Sequence, residues 1–132
     1  MKLDLTPQGS FTPFPAETLP DGFQYPKLYL QFAKSIGFPT GLIWWFVSAQ
    51  TPGGDLAWDN RLYWSSEGWR FLGEIDPIPF AKNGDWAAYF DGRDHSGDPA
   101  IVVADLGNRA NAYRLDSFDA WLDRAREDSG LT

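Results

Sequence analysis

The chain has 132 residues, no cysteine, 17% aromatic content and a formal net charge of −7. That length suits a single domain with a real core, and the missing thiols exclude disulfides, a cysteine nucleophile and a cysteine zinc site. No basic stripe of the kind a nucleic-acid binder uses is present; an acidic balance instead favours solubility and fast encounter with a basic partner.

The opening stretch Met1 to Thr6 has no apolar h-region and no small-residue cleavage site, so nothing suggests export. Residues 1–25 hold Pro7, Pro13, Pro15 and Pro20, which predicts irregular structure, with 1–18 a Pro-rich arm tied to the body by Phe11, Phe14 and, further on, Phe23. From Pro26 to Ile36, Leu28, Phe32 and Ile36 share one face and Gly37 suits the stop, which predicts a short amphipathic helix.

Leu42 to Val47 is the longest apolar run. It is too short to span a bilayer, and being apolar on both alternating faces it reads as an inner strand covered on both sides. These features together predict a cytoplasmic protein with no membrane contact. Thr51 to Asp55 reads as a loop, and Arg61–Trp64 and Trp69–Leu72 as two strands joined across Ser65 to Gly68.

The stretch Ile78 to Gly92 predicts a hairpin turning at Asn83-Gly84, with Trp86, Ala88 and Phe90 on one face and Ala87 and Tyr89 on the other. A polar loop follows to Pro99, then strands over Ala100–Ala104 and Ala112–Leu115 joined by a turn at Leu106-Gly107-Asn108. A closing helix is capped by Asp116 or Ser117, carries the stripe Phe118, Trp121, Leu122 and Ala125, and has Gly130 just past its end. The expected fold is one α+β domain over residues 1–132, a mainly antiparallel sheet flanked by an N-terminal and a C-terminal helix.

No catalytic set emerges. Asp91, Asp94 and Asp98 crowd one loop with His95, the sole histidine, but the spacing is wrong for an EF-hand and Arg93 intrudes, so no metal is expected. No Gly-x-Ser-x-Gly motif, phosphate loop or dinucleotide fingerprint is present. The chain reads as a binding protein that is not an enzyme and needs no cofactor. Trp44, Trp45, Trp58, Trp64 and Trp69 could instead form a flat platform for sugars, a carbohydrate-binding module being the alternative, along with a regulatory protein-interaction scaffold.

Three ordered blocks carry a family resemblance: Leu19-Pro20-Asp21-Gly22-Phe23 leading into Tyr29, Leu30 and Phe32; Ile78-Pro79-Phe80-Ala81 with Asn83-Gly84-Asp85 and Phe90-Asp91; and Ala100 to Val103 with Ser117 to Leu122. In these blocks the chain resembles the SUKH superfamily, which includes a fungal cell-wall-synthesis regulator and many bacterial immunity proteins. The Pro-rich arm stands where many relatives place an extra helix, and no family motif falls between Trp58 and Trp69.

The resemblance implies a non-enzymatic domain that neutralises a cognate polymorphic toxin, often a nuclease, by direct occlusion. The expected partner is thus a protein with a basic surface, and no direct nucleic-acid binding is expected. Exposed acids are the expected contacts: Asp55, Asp59, Asp91, Asp94 and Asp98, with Trp58 as an aromatic anchor. Phe80, Ala81, Asn83, Gly84, Asp85 and Asp91 match the family's motif, and for Asn83, Gly84, Asp85 and Asp91 a role in hairpin geometry and loop capping is favoured over direct toxin contact.

Overall fold

A computed structural model of the chain describes residues 13–36, 42–48, 54–66, 70–108 and 110–130. Five strands form one antiparallel meander in the order β1-β2-β3-β4-β5, with three helices packed on its faces. The strands are β1 (Trp45–Phe46), β2 (Pro77–Asn83), β3 (Trp86–Asp91), β4 (Ile101–Asp105) and β5 (Ala112–Leu115). The helices are α1 (Lys27–Gln31, continued as a π-turn over Phe32–Ile36), α2 (Gly54–Ser66) and α3 (Phe118–Asp128). This is the α+β architecture expected of the sequence.

β3 and β4 alternate as their side chains require. Ala88, Phe90, Ile101 and Val103 enter one core, whereas Ala87, Tyr89, Val102 and Ala104 enter another on the opposite face. The first core is an aromatic cluster. Phe80 and Phe90 stack with centroids 4.0 Å apart, Tyr29 of α1 meets Phe46, Phe80, Phe90 and Phe118 edge-on, and Trp121 of α3 packs on Phe46, Phe80 and Phe118. Such pairs add roughly 0.5–1.5 kcal/mol each beyond simple burial. The arm joins this body through buried Phe14 and Phe23, while Phe11 lies outside the described residues.

Closing helix α3 forms as read. Its stripe of Phe118, Trp121, Leu122 and Ala125 is buried, and Ser117 Oγ accepts from the Ala120 N–H at 3.1 Å. Gly130, just past the end, adopts φ +74°.

Hairpin β2–β3 turns one residue later than expected. Asn83 still pairs with Trp86, so the two-residue loop is Gly84-Asp85, with positive φ at Gly84 alone. Glycine at the first loop position is the type II′ preference. β2 also carries a bulge at Phe80, between the Pro79–Tyr89 and Ala81–Ala88 pairs. The extra residue switches the alternation: Lys82 joins the α2 side of the sheet and Asn83 the α3 side, beside Trp86. Pro77 and Pro79 are tolerated because β1 covers β2 only from Phe80 to Lys82.

Three expectations are corrected. Leu42 to Val47 is not an inner strand: only Trp45 and Phe46 join the sheet, at its edge, where Phe46 is buried and Trp45 is 44% exposed. The segment Arg61–Trp64 is not a strand but the second half of helix α2, which begins at Gly54 inside the expected loop. Residues 54–66 contain no β-branched side chain, and Leu, Ala and Arg favour the helix, so the short apolar run misleads. Lastly, the expected strand Trp69–Leu72 is a turn into a 3₁₀ segment over Leu72–Glu74, with Trp69 outside the described residues.

The chain reverses there through Phe71, which holds φ 68°, a left-handed conformation that bulky residues rarely adopt. Its ring packs beside the second core, with the Arg70 and Arg114 guanidinium groups 4.8 and 5.5 Å from its centroid. Gly37, Thr51 to Gly53 and Glu67 to Gly68, which the sequence assigns to a helix stop and to loops, lie outside the described residues. No described helix is long and apolar enough to cross a membrane.

Candidate interaction surface

The sequence-derived contact residues fall into two separate groups. Asp55, Trp58 and Asp59 lie on α2, whereas Asp91 ends β3 and Asp94 and Asp98 lie in the loop between β3 and β4.

The loop acids are already engaged within the fold. Asp91 Oδ1 accepts from the Arg93 N–H at 2.9 Å. The two oxygens of Asp94 accept from the Ser96 and Ala100 N–H groups, each at 3.0 Å. Asp98 Oδ1 accepts from the Phe118 N–H at 3.3 Å, adding a second cap to α3 from outside the helix. Burial raises the Asp94 carboxyl, but the hydrogen bonds from Ser96 and Ala100, aided by the charge of His95, outweigh it and hold the group below the usual carboxylate range. Such bonds are loop capping, the structural role the sequence allows for Asp91.

His95 is likewise structural in its placement, with its ring seated against Gly22. The neighbouring Gly92 leaves room for Pro20 and the Asp76 carbonyl, since a Cβ there would fall 2.8 and 3.0 Å from them. Asp85 sits in the hairpin loop, near Gly107 of the β4–β5 turn. Among the described residues, no three His, Asp or Glu side chains gather where a metal ion could be held.

Helix α2 is unusual. At about 3.6 residues per turn, a surface helix should turn its apolar side inward. Here the inward stripe is Ala57, Trp58 and Arg61, while Leu56, Leu62 and Tyr63 are 61%, 54% and 49% exposed on the outer side, alongside exposed Asp59 and Asn60. Trp58 is half-buried: the Phe14 ring lies 4.7 Å from it, the Arg61 guanidinium sits 4.0 Å over it, and Arg61 Nη1 donates to the Trp58 carbonyl at 3.2 Å. Trp58 therefore anchors the arm. Asp55 lies in the first turn of α2, its side chain outside the described part of the structure.

Between α2 and the sheet runs a cleft of about 350 Å³, lined by Leu56, Ala57 and Asn60 on one wall and by Trp45, Lys82 and Tyr89 on the other. Burial pushes the Tyr89 hydroxyl well above its ordinary pKa, so it stays neutral. Leu56 and the exposed Trp45 continue the outer face of α2 onto the sheet edge. Among the described side chains, the surface is thus an apolar strip bearing the carboxylate of Asp59 and bordered by the ammonium group of Lys82.

Sequence reasoning assigns Leu62 and Tyr63 to a strand and gives Leu56 no element, and so misses them. The signal was present: apolar residues at 56, 57, 58, 62, 63 and 64 surround the helix with no single inward face. Of the tryptophans proposed as a sugar platform, Trp44 is buried, Trp45 is exposed at the edge and Trp58 is half-buried. The Trp64 side chain and Trp69 lie outside the described part, so no flat platform forms among the described rings.

Comparison with known protein families, with curated proteins and with solved structures found no match to this chain.

Proposed function

We propose that this protein is an immunity-type inhibitor that neutralises a cognate protein toxin by covering it, and that the outer face of α2 with the adjoining cleft is the contact surface. The observation that carries this reading is the inverted helix: Leu56, Leu62 and Tyr63 face solvent where a helix that served only the fold would present polar groups. Apolar and aromatic side chains at the centre of a patch are what stable protein contacts bury. Asp59 within the strip, and the net charge of −7, suit a partner with a basic surface, such as a nuclease cleft. The ordered resemblance to the SUKH superfamily supports the same class. In this reading the protein acts by binding in the cytoplasm, without catalysis or cofactor.

The test is co-expression with the product of the adjacent gene. Restored growth of a host carrying that product, with co-purification of the two chains, is the expected result. Absence of both sinks the proposal. A fall in association rate with rising salt is expected of a complex steered by charge.

A further inference from the structure

We propose that a second cleft, on the α3 side of the sheet, is a binding site for a neutral pyranose sugar. The cleft lies where the C-terminal half of α3 passes the hairpin end of the sheet. It measures about 440 Å³ and its chemistry comes from Asn83, Trp86, Asn111, Tyr113, Arg124 and Asp128. None of these residues belongs to the α2 surface, so the inference stands independently of the toxin-binding reading.

The floor is aromatic. Trp86 of β3 and Tyr113 of β5, both half-buried, hold their rings 6.0 Å apart at 46° to each other. An open pair of this kind offers ring surface to the apolar C–H face of a sugar. Polar groups surround it. The Arg124 guanidinium sits 4.4 Å over the Tyr113 ring, and its Nε donates to Asp128 Oδ1 at 3.3 Å. Only one guanidinium nitrogen is used by this pair, which leaves the terminal nitrogens as donors and the second Asp128 oxygen as an acceptor. Asn111 Nδ2 donates one N–H to Asp105 Oδ2 at 3.4 Å, which leaves its second N–H and its side-chain oxygen to offer. Asn83 reaches this side only because of the bulge at Phe80.

Charge selects the ligand class. Arg124 and Asp128 cancel, so the lining is neutral within a chain of net charge −7. An anionic ligand would meet the field of the whole chain, and a cationic one would compete with Arg124 for Asp128. A neutral molecule with one apolar face and several adjacent hydroxyls meets neither penalty: its ring packs on Trp86 while its hydroxyls bridge amide, guanidinium and carboxylate. An apolar base with a few convergent polar groups is the usual build of a small-molecule site. Apart from Asn111, which immediately precedes β5, these groups stand on three strands and a helix, which hold them more firmly than a loop would.

The test uses the full chain, titrated at millimolar concentration with glucose, galactose, mannose, N-acetylglucosamine and the disaccharides cellobiose and maltose, and followed by NMR. Saturable shifts of the Trp86 indole N–H and the Arg124 side chain with at least one sugar are expected, unaffected by added salt. Trp86→Ala should weaken binding about tenfold or more, a loss typical of a principal contact. Because Trp86 also packs on the core, exposed Asp128→Ala provides the companion variant, with a several-fold loss expected and the fold kept. If no sugar of the panel moves the Trp86 indole, or if the affinity is unchanged in both variants, the proposal is overturned.

Discussion

The imidazole of His95 is packed directly on the backbone of Gly22: a Cβ at position 22 would lie 2.9 Å from Nδ1 and 3.0 Å from Cε1. Gly22 also adopts φ +84°, which side chains other than glycine rarely hold. Gly22→Ala is therefore expected to cost about 1–3 kcal/mol. Removing the ring by combining it with His95→Ala should recover only part, since the backbone strain persists. Urea unfolding of the two single variants and the pair measures this, and full recovery in the pair would show that the ring contact is the whole effect.

Trp58 and Leu62 should behave oppositely although both stand on α2. Trp58→Ala removes the seat of Phe14 and Arg61 and should lower stability by about 2–3 kcal/mol, less than the roughly 3–5 of a fully buried tryptophan. Leu62→Glu and Asp59→Lys alter exposed positions and should shift stability by no more than about 0.5 kcal/mol. Both should reduce capture of the partner, read by co-purification beside thermal melts of each variant.

Asp98 separates capping from contact. Its carboxylate accepts from the Phe118 N–H, so Asp98→Ala should destabilise α3 by about 1 kcal/mol, with a similar loss from Ser117→Ala. Partner affinity should not change. Affinity lost with stability intact would place Asp98 in the contact surface instead.

The depressed pKa of Asp94 carries a pH dependence of fixed sign. The unfolded chain takes up this proton at a higher pH than the folded one, so the stabilisation is complete above about pH 4 and is lost as pH falls through the lower, folded value. Asp94→Asn should be less stable than the parent near neutrality, and the gap should narrow in acid. Denaturant midpoints across the acid range test this, and a constant gap would contradict it.

The sheet and α3 were legible because their periods are clean. β3 alternates over six residues, and α3 has a stripe, a serine cap and a terminal glycine that agree with one another. Helix α2 was illegible for the reason that makes it interesting. With Leu56, Leu62 and Tyr63 outward and Arg61 inward, its inward stripe is not an apolar one, so the three-residue apolar run Leu62 to Trp64 reads as a strand. Local pattern also says nothing about which strand ends a sheet, hence the misplacing of Leu42 to Val47. The loop acids were found by composition, but their hydrogen bonds to backbone groups up to twenty residues away arise only once the chain has folded.

The meander places every strand beside its neighbour in sequence, and β2 to β5 are joined by short connections, so most of the sheet can assemble by local closures, a topology that favours rapid folding. The helix that shields its aromatic face is the last of these elements in the chain. During synthesis from the amino terminus, the sheet is complete once Leu115 has emerged, while Phe46, Phe80 and Phe90 still lack the cover of Phe118 and Trp121. For that interval the aromatic face has the cover of Phe23, Tyr25 and Tyr29 but not of α3, and this is the nascent polypeptide's period of greatest exposure to chaperones and to aggregation.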